Sequence, residues 1–175
     1  MNRKSFLNHL SIGSSFLAFP FALAAQTTSL KQTKQEPLPA EKVKEFVVAG
    51  HKDLDRLITM LAETPNLLYA SWDWGNGDFE TALEGAGHMG RKDIAEYLIG
   101  QGARPNIFVQ AMLGKTDLVK QQLHLFPELL NSKGPHGFTL LHHAMQGGDD
   151  AKALLAYLDE MGLKVKNIPI KNIQN

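Results

Sequence analysis

From Glu41 onward the apolar residues recur at three- and four-residue spacing, which predicts helices rather than strands. Val43, Phe46 and Val47 mark one helix face, and Leu54, Leu57, Ile58 and Leu61 mark the next. Gly50 separates the two, and so short a break forces an antiparallel helix pair. The pattern recurs three times. Ala82, Leu83 and Ala86 precede Gly90, with Ile94, Tyr97 and Leu98 after it. Phe108, Ala111 and Met112 precede Gly114, with Leu118, Leu123 and Leu125 after it. Leu140, Leu141 and Ala144 precede Gly147-Gly148, with Ala151, Leu154, Leu155 and Leu158 after them. Four helix pairs are expected. The glycines end the first helix of each pair, where positive φ is often required. Asp53, Asp93 and Asp117 stand where a short acceptor caps the second helix. Ala49, Ala86, Ala111 and Ala144 allow close helix approach.

Two stretches carry a more specific pattern. Thr81-Ala-Leu-Glu-Gly-Ala86 is followed by Gly90, Ile94, Leu98 and Gly102-Ala103. Thr139-Leu-Leu-His-His-Ala144 is followed by Gly148, Leu154, Leu155 and Leu158. These resemble the ankyrin repeat, whose signature is T-P-L-H-x-A with a later glycine and an apolar second helix. Neither stretch keeps the proline, and Glu84 stands in the histidine slot. The resemblance runs from about Glu41 to Leu163 and implies an all-α, ankyrin-type solenoid of about four stacked helix-turn-helix repeats with projecting loops. It also implies protein binding through those fingers and the concave helix face. A longer period is visible too: Phe46-Val-Val-Ala49 echoes Phe108-Val-Gln-Ala111, and Thr64-Pro-Asn-Leu-Leu68 echoes Phe126-Pro-Glu-Leu-Leu130. The offset of about 62 residues is close to two units of about 33, as in a duplicated pair.

Composition narrows the partners. The 175 residues are 43% hydrophobic and 21% charged, ordinary for one globular domain. Lys+Arg and Asp+Glu both number 18, so no strong field draws nucleic acid or an anionic membrane. The absence of cysteine excludes disulfides and thiolate metal sites. Residues 1–25 read as a signal peptide: Arg3 and Lys4 form a basic start, Ile12 to Leu23 is mostly apolar, and Ala22-Leu23-Ala24 is a small-x-small cleavage signal. Arg3-Lys4-Ser5-Phe6-Leu7 resembles a twin-arginine motif with Lys in the second basic place, so Sec-type and Tat-type export stand side by side. Cleavage near Ala24 or Ala25 removes two of the 18 basic residues and leaves 16 against 18 acidic, a net charge of −2. The expectation is a periplasmic or secreted monomer with no stable membrane insertion. Residues 26–40 are polar, with Pro37 and Pro39, and read as a flexible leader. Residues 164–175, rich in Lys, Asn and Ile, are expected to cap the apolar end of the last helix pair.

The candidate binding surface is Ser71-Trp-Asp-Trp-Gly-Asn-Gly-Asp-Phe79, a finger holding both tryptophans. Trp72, Asp73, Trp74, Asn76, Asp78 and Phe79 are its proposed contacts with a protein partner, joined by His136 and Phe138 from the counterpart finger Ser132–Phe138. Aromatic residues of this kind anchor interfaces, although Trp72 and Trp74 can equally fold back on their own hairpin. Gly85-Ala-Gly87-His-Met-Gly90 matches G-x-G-x-x-G, but a helical segment precedes it where a dinucleotide site needs a strand. The seven histidines show no H-E-x-x-H spacing, and His51 and His88 fall at the turns of different units. No metal, cofactor or catalytic set is assigned from the sequence, and the chain is read as a non-enzyme. The alternative is a small enzyme or small-ligand-binding protein with a pocket near His136, His142 and His143 or near Trp72 and Trp74.

Overall fold

A computed structural model of the protein describes residues 36–170. The expected signal peptide, the leader as far as residue 35 and the last five residues lie outside the described residues. The described chain is mostly helical and belongs to the all-α class. Its helices are α1 (Ala40–Gly50), α2 (Leu54–Glu63), α3 (Ala82–His88), α4 (Lys92–Gly100), α5 (Ile107–Met112), α6 (Thr116–Leu125), α7 (Leu140–Gln146) and α8 (Lys152–Glu160). The strands β1 (Ser71–Asp73) and β2 (Phe79–Thr81) form a single antiparallel hairpin among the described residues. No helix among the described residues is long and apolar enough to cross a membrane.

The helix starts follow from short polar side chains. Asp53 accepts from the Arg56 backbone N–H at 2.9 Å and caps α2. Thr81 and Glu84 form a reciprocal capping box at α3. Asn106 caps α5 through the N–H groups of Phe108 and Val109, and its amide donates to Glu84 Oε1 at 2.7 Å, tying one pair to the next. Asp93 and Asp117 depart from expectation. They sit inside the first turn, while Arg91 and Lys115 occupy the N-cap positions without a side-chain cap bond. Asp93 instead binds the Arg91 guanidinium at 2.9 and 2.6 Å.

The first helices of the four pairs pack in series, α1 on α3, α3 on α5 and α5 on α7, and each second helix leans on its own partner. Phe46, Leu57, Met60, Leu67, Ile94 and Leu98 are fully buried in one apolar cluster, and Leu140, Leu154 and Leu158 in another. Each such side chain contributes about 1.5–3 kcal/mol relative to exposure. Two glycines permit this spacing. A Cβ on Gly50 would lie 2.4 Å from the Ala82 carbonyl oxygen. Gly114 combines φ +65° with a Cβ position 2.2 Å from the Asp150 carbonyl oxygen, so a side chain there is excluded twice.

Both fingers occupy one edge of this stack, and they are built differently. The first closes on itself, with Ser71 paired to Thr81, Trp72 to Glu80 and Asp73 to Phe79. The second contains a short turn at Pro135–Gly137 and pairs with the C-terminal stretch. Thr139 N–H donates to Lys166 at 3.0 Å, and Ile168 N–H donates to Gly137 at 2.8 Å. Residues 166–168 therefore run along the second finger, because the Gly137 carbonyl and the Thr139 N–H, unused within the finger, find their partners there.

Candidate functional site

His51 immediately follows α1, and His88 is the last residue of α3. Because α1 packs on α3, residues at corresponding helix ends meet. Their Nε2 atoms lie 3.1 Å apart. The His51 ring rests against Gly85, where a Cβ would come within 2.9 Å of the imidazole, so this glycine serves the approach of a histidine rather than a phosphate turn. Gly85 and Gly87 both lie inside α3, which removes the G-x-G-x-x-G stretch as a nucleotide loop.

Glu80 reaches the same point from β2. Strand side chains alternate, so Phe79 points outward at 59% exposure while Glu80 is turned inward and has none. Its Oε1 accepts from His88 Nε2 at 2.8 Å, and its Oε2 accepts from Trp74 Nε1 at 2.7 Å. His51 Nε2 and His136 Nε2 stand 3.3 and 3.5 Å from Oε2. Burial opposes the charge on Glu80, but the hydrogen bonds and charges of His51 and His88 outweigh it and lower its pKa to about 2. Burial likewise pulls His51 down, yet its bond to Glu80 and that carboxylate's charge hold it above its ordinary value.

His136 arrives from the second finger in a left-handed conformation, φ 57° and ψ 14°. A non-glycine residue there costs about 1–2 kcal/mol, and three bonds hold it. Asp78 accepts the His136 backbone N–H at 2.9 Å and its Nδ1–H at 2.8 Å, and Asn167 donates to the His136 carbonyl at 2.7 Å. The strain therefore coincides with the orientation of one imidazole.

The chemistry of the donors fits a metal ion. His51 Nδ1–H donates to the Val47 carbonyl at 2.9 Å and His136 Nδ1–H to the Asp78 carboxylate, which frees both Nε2 atoms for coordination. Outer bonds of this kind orient metal-binding histidines. His51, Glu80, His88 and His136 each offer one donor atom, all within 4.8 Å of one another. Three donor separations, 3.1 Å between the His51 and His88 Nε2 atoms and 3.3 and 3.5 Å from Glu80 Oε2 to His51 and His136, lie near the edge of about 3.3 Å of a tetrahedron with bonds of about 2.0 Å.

His51 and His88 do fall at the turns of different helix pairs, and those turns meet, so the four residues form a group able to hold a metal ion that the sequence did not assign. Turns of successive pairs share one edge when the helices stack, and the fingers close over that edge. Of the predicted partner contacts, Trp74, Asp78, His136 and Phe138 surround the cluster. Phe138 stacks on His142 at 3.9 Å and on His88 at 5.2 Å. Trp72 folds back, half-buried against the first core, with Lys44 Nζ 5.4 Å from its ring centroid. Asp73, Asn76 and Phe79 remain exposed. His142 Nε2–H donates to the His88 carbonyl at 2.9 Å, so it joins α7 to α3. His143 is buried between Phe108 and the Thr139 carbonyl, away from the donor set. His51, Glu80 and His88 were missed. A signal for them existed in the acids at 78 and 80, two positions apart at the start of a strand, and in histidines at the ends of two adjacent first helices. No family model matches the chain, and no curated protein or solved structure matches it.

Proposed function

We propose that this chain is an exported, ankyrin-type helical-repeat protein that binds one divalent transition-metal ion through His51, Glu80, His88 and His136. The observation that carries the metal reading is the meeting of three imidazole Nε2 atoms with a fully buried carboxylate, with two of the rings pinned through Nδ1. Imidazoles with one carboxylate suit Zn²⁺, Fe²⁺, Co²⁺ or Ni²⁺ better than Mg²⁺ or Ca²⁺. The repeat reading is supported by the Thr81 and Thr139 motifs and by four helix pairs packed in register. The export reading rests on residues 1–25. A second reading, binding of a protein partner in the periplasm, is favoured by the outward side of the hairpin, where Phe79, Asp73 and Asn76 stay exposed.

Calorimetric titration of the chelator-treated full chain with Zn²⁺ tests the metal reading. One ion per chain is expected. Glu80→Gln and His136→Ala should each weaken binding by more than about 100-fold, beyond the 10–100-fold typical of outer partners. Thermal melts of the metal-free variants establish that both are folded. Wild-type protein that binds no tighter than either variant overturns the proposal.

A further inference from the structure

Resting on the metal reading, we infer that the ion keeps a coordination position open to an adjoining pocket, and that this pocket takes a small carboxylate with an apolar body. The arrangement of donors is one-sided. Glu80 has no exposed surface; Trp74 Nε1 holds its Oε2 from the protein side, and the bond between its Oε1 and His88 Nε2 is one that a bound ion would replace. The three imidazoles behave differently. His51, His88 and His136 all line an open pocket of about 440 Å³, whereas Glu80 does not. The carboxylate thus backs the cluster from the protein side, and the imidazole edges front a cavity of the size that small ligands occupy.

The other walls define the ligand. Met89 and Phe138 supply apolar surface, Met89 being half exposed and unused by either core cluster. Phe138 is held rigidly by stacking on His88 and His142. His142 and Gln146 supply polar atoms. The His142 Nε2–H is committed to the His88 carbonyl, so its Nδ1 is left as a hydrogen-bond acceptor. Among the described residues the pocket wall carries no Lys or Arg, so a bound ion would be the positive charge that meets an anion there. An anionic oxygen on the ion, an apolar body against Met89 and Phe138, and a donor group toward His142 satisfy every wall. Zinc-type ions can accommodate this, since four-coordinate sites sometimes expand to five ligands.

The test uses the full chain loaded with Co²⁺, whose visible absorption reports its coordination. Azide probes the open position alone, and benzoate probes position and pocket together. Saturable changes in the cobalt bands are expected with both. Met89→Ala should weaken benzoate about fivefold, from the lost apolar contact, and leave azide within twofold of wild type. A cobalt spectrum that neither probe alters overturns the open position while leaving the metal site standing. Response to azide alone, or unchanged benzoate affinity in Met89→Ala, overturns the ligand class. Failure of the wild-type chain to bind Co²⁺ removes the metal reading and this inference with it.

Discussion

The two fingers occupy the same edge and do opposite work. The first is a self-contained hairpin. Its alternation sends Glu80 inward and leaves Phe79 in solvent, and its turn residues Gly75, Asn76 and Gly77 all take positive φ. The second has no strand partner of its own. It borrows the tail at Lys166 and Ile168, and holds His136 in a left-handed conformation through Asp78 of the first finger. A sheet-backed finger can hold a charged carboxylate without water, since β1 fixes the strand that carries it. A tail-backed finger can only present a residue that something else orients. The joint between them, Asp78 on His136, is therefore where the site is assembled.

The largest effect should come from removing the anion on the inward side. Glu80→Ala leaves Trp74 Nε1, His88 and His51 around an empty acceptor, and breaking a buried pair from one side costs about 3–5 kcal/mol. Urea unfolding of the metal-free protein measures it. A loss below about 1 kcal/mol breaks the idea that the first finger is organised around Glu80.

The next largest tests the region behind the second finger by pH. Burial, opposed by the Thr139 carbonyl bond and reinforced by the charges of His142 and His88, lowers the pKa of His143 to about 4 from 6.5. Above pH 6.5 both folded and unfolded chains hold it neutral, so it costs nothing. Between 6.5 and 4 only the unfolded chain takes up the proton. Stability therefore falls as pH drops through that window, by about 3 kcal/mol when complete. His143→Leu should remove that part of the acid slope in unfolding measured across the window. A slope identical to wild type contradicts the assignment.

The smallest effects compare neighbours at positions 78 and 79. Asp78→Ala should cost about 2 kcal/mol, as expected for charge-assisted bonds to a half-buried partner. Phe79→Ser should stay within about 0.5 kcal/mol, as surface changes do. Equal costs in denaturant unfolding would erase the distinction between the hairpin's two sides.

Helix existence was legible throughout, because burial imposes the 3.6-residue period directly on Phe46, Leu57, Ile94 and Leu154. Capping was legible where a short acceptor met the helix start, as at Asp53 and Thr81, and misread at Asp93, whose carboxylate prefers a nearby guanidinium. Half of the predicted contacts, Trp74, Asp78, His136 and Phe138, lie at or around the histidine–glutamate cluster, because loop residues of unusual chemistry were sought in the fingers. Trp74 stays exposed on one side but directs its indole N–H at Glu80, because a buried carboxylate needs a donor.

The sequence by itself determined the helix pairs, the turns between them and the finger positions, since these follow from periodicity and from glycine and short polar residues acting locally. The tertiary structure alone decided that His51, Glu80, His88 and His136 share one point. They are separated by up to 85 positions in the chain. Only stacking α1 on α3, folding β2 back over their ends and tying His136 down through Asp78 removes that distance, and no local pattern encodes those three contacts together.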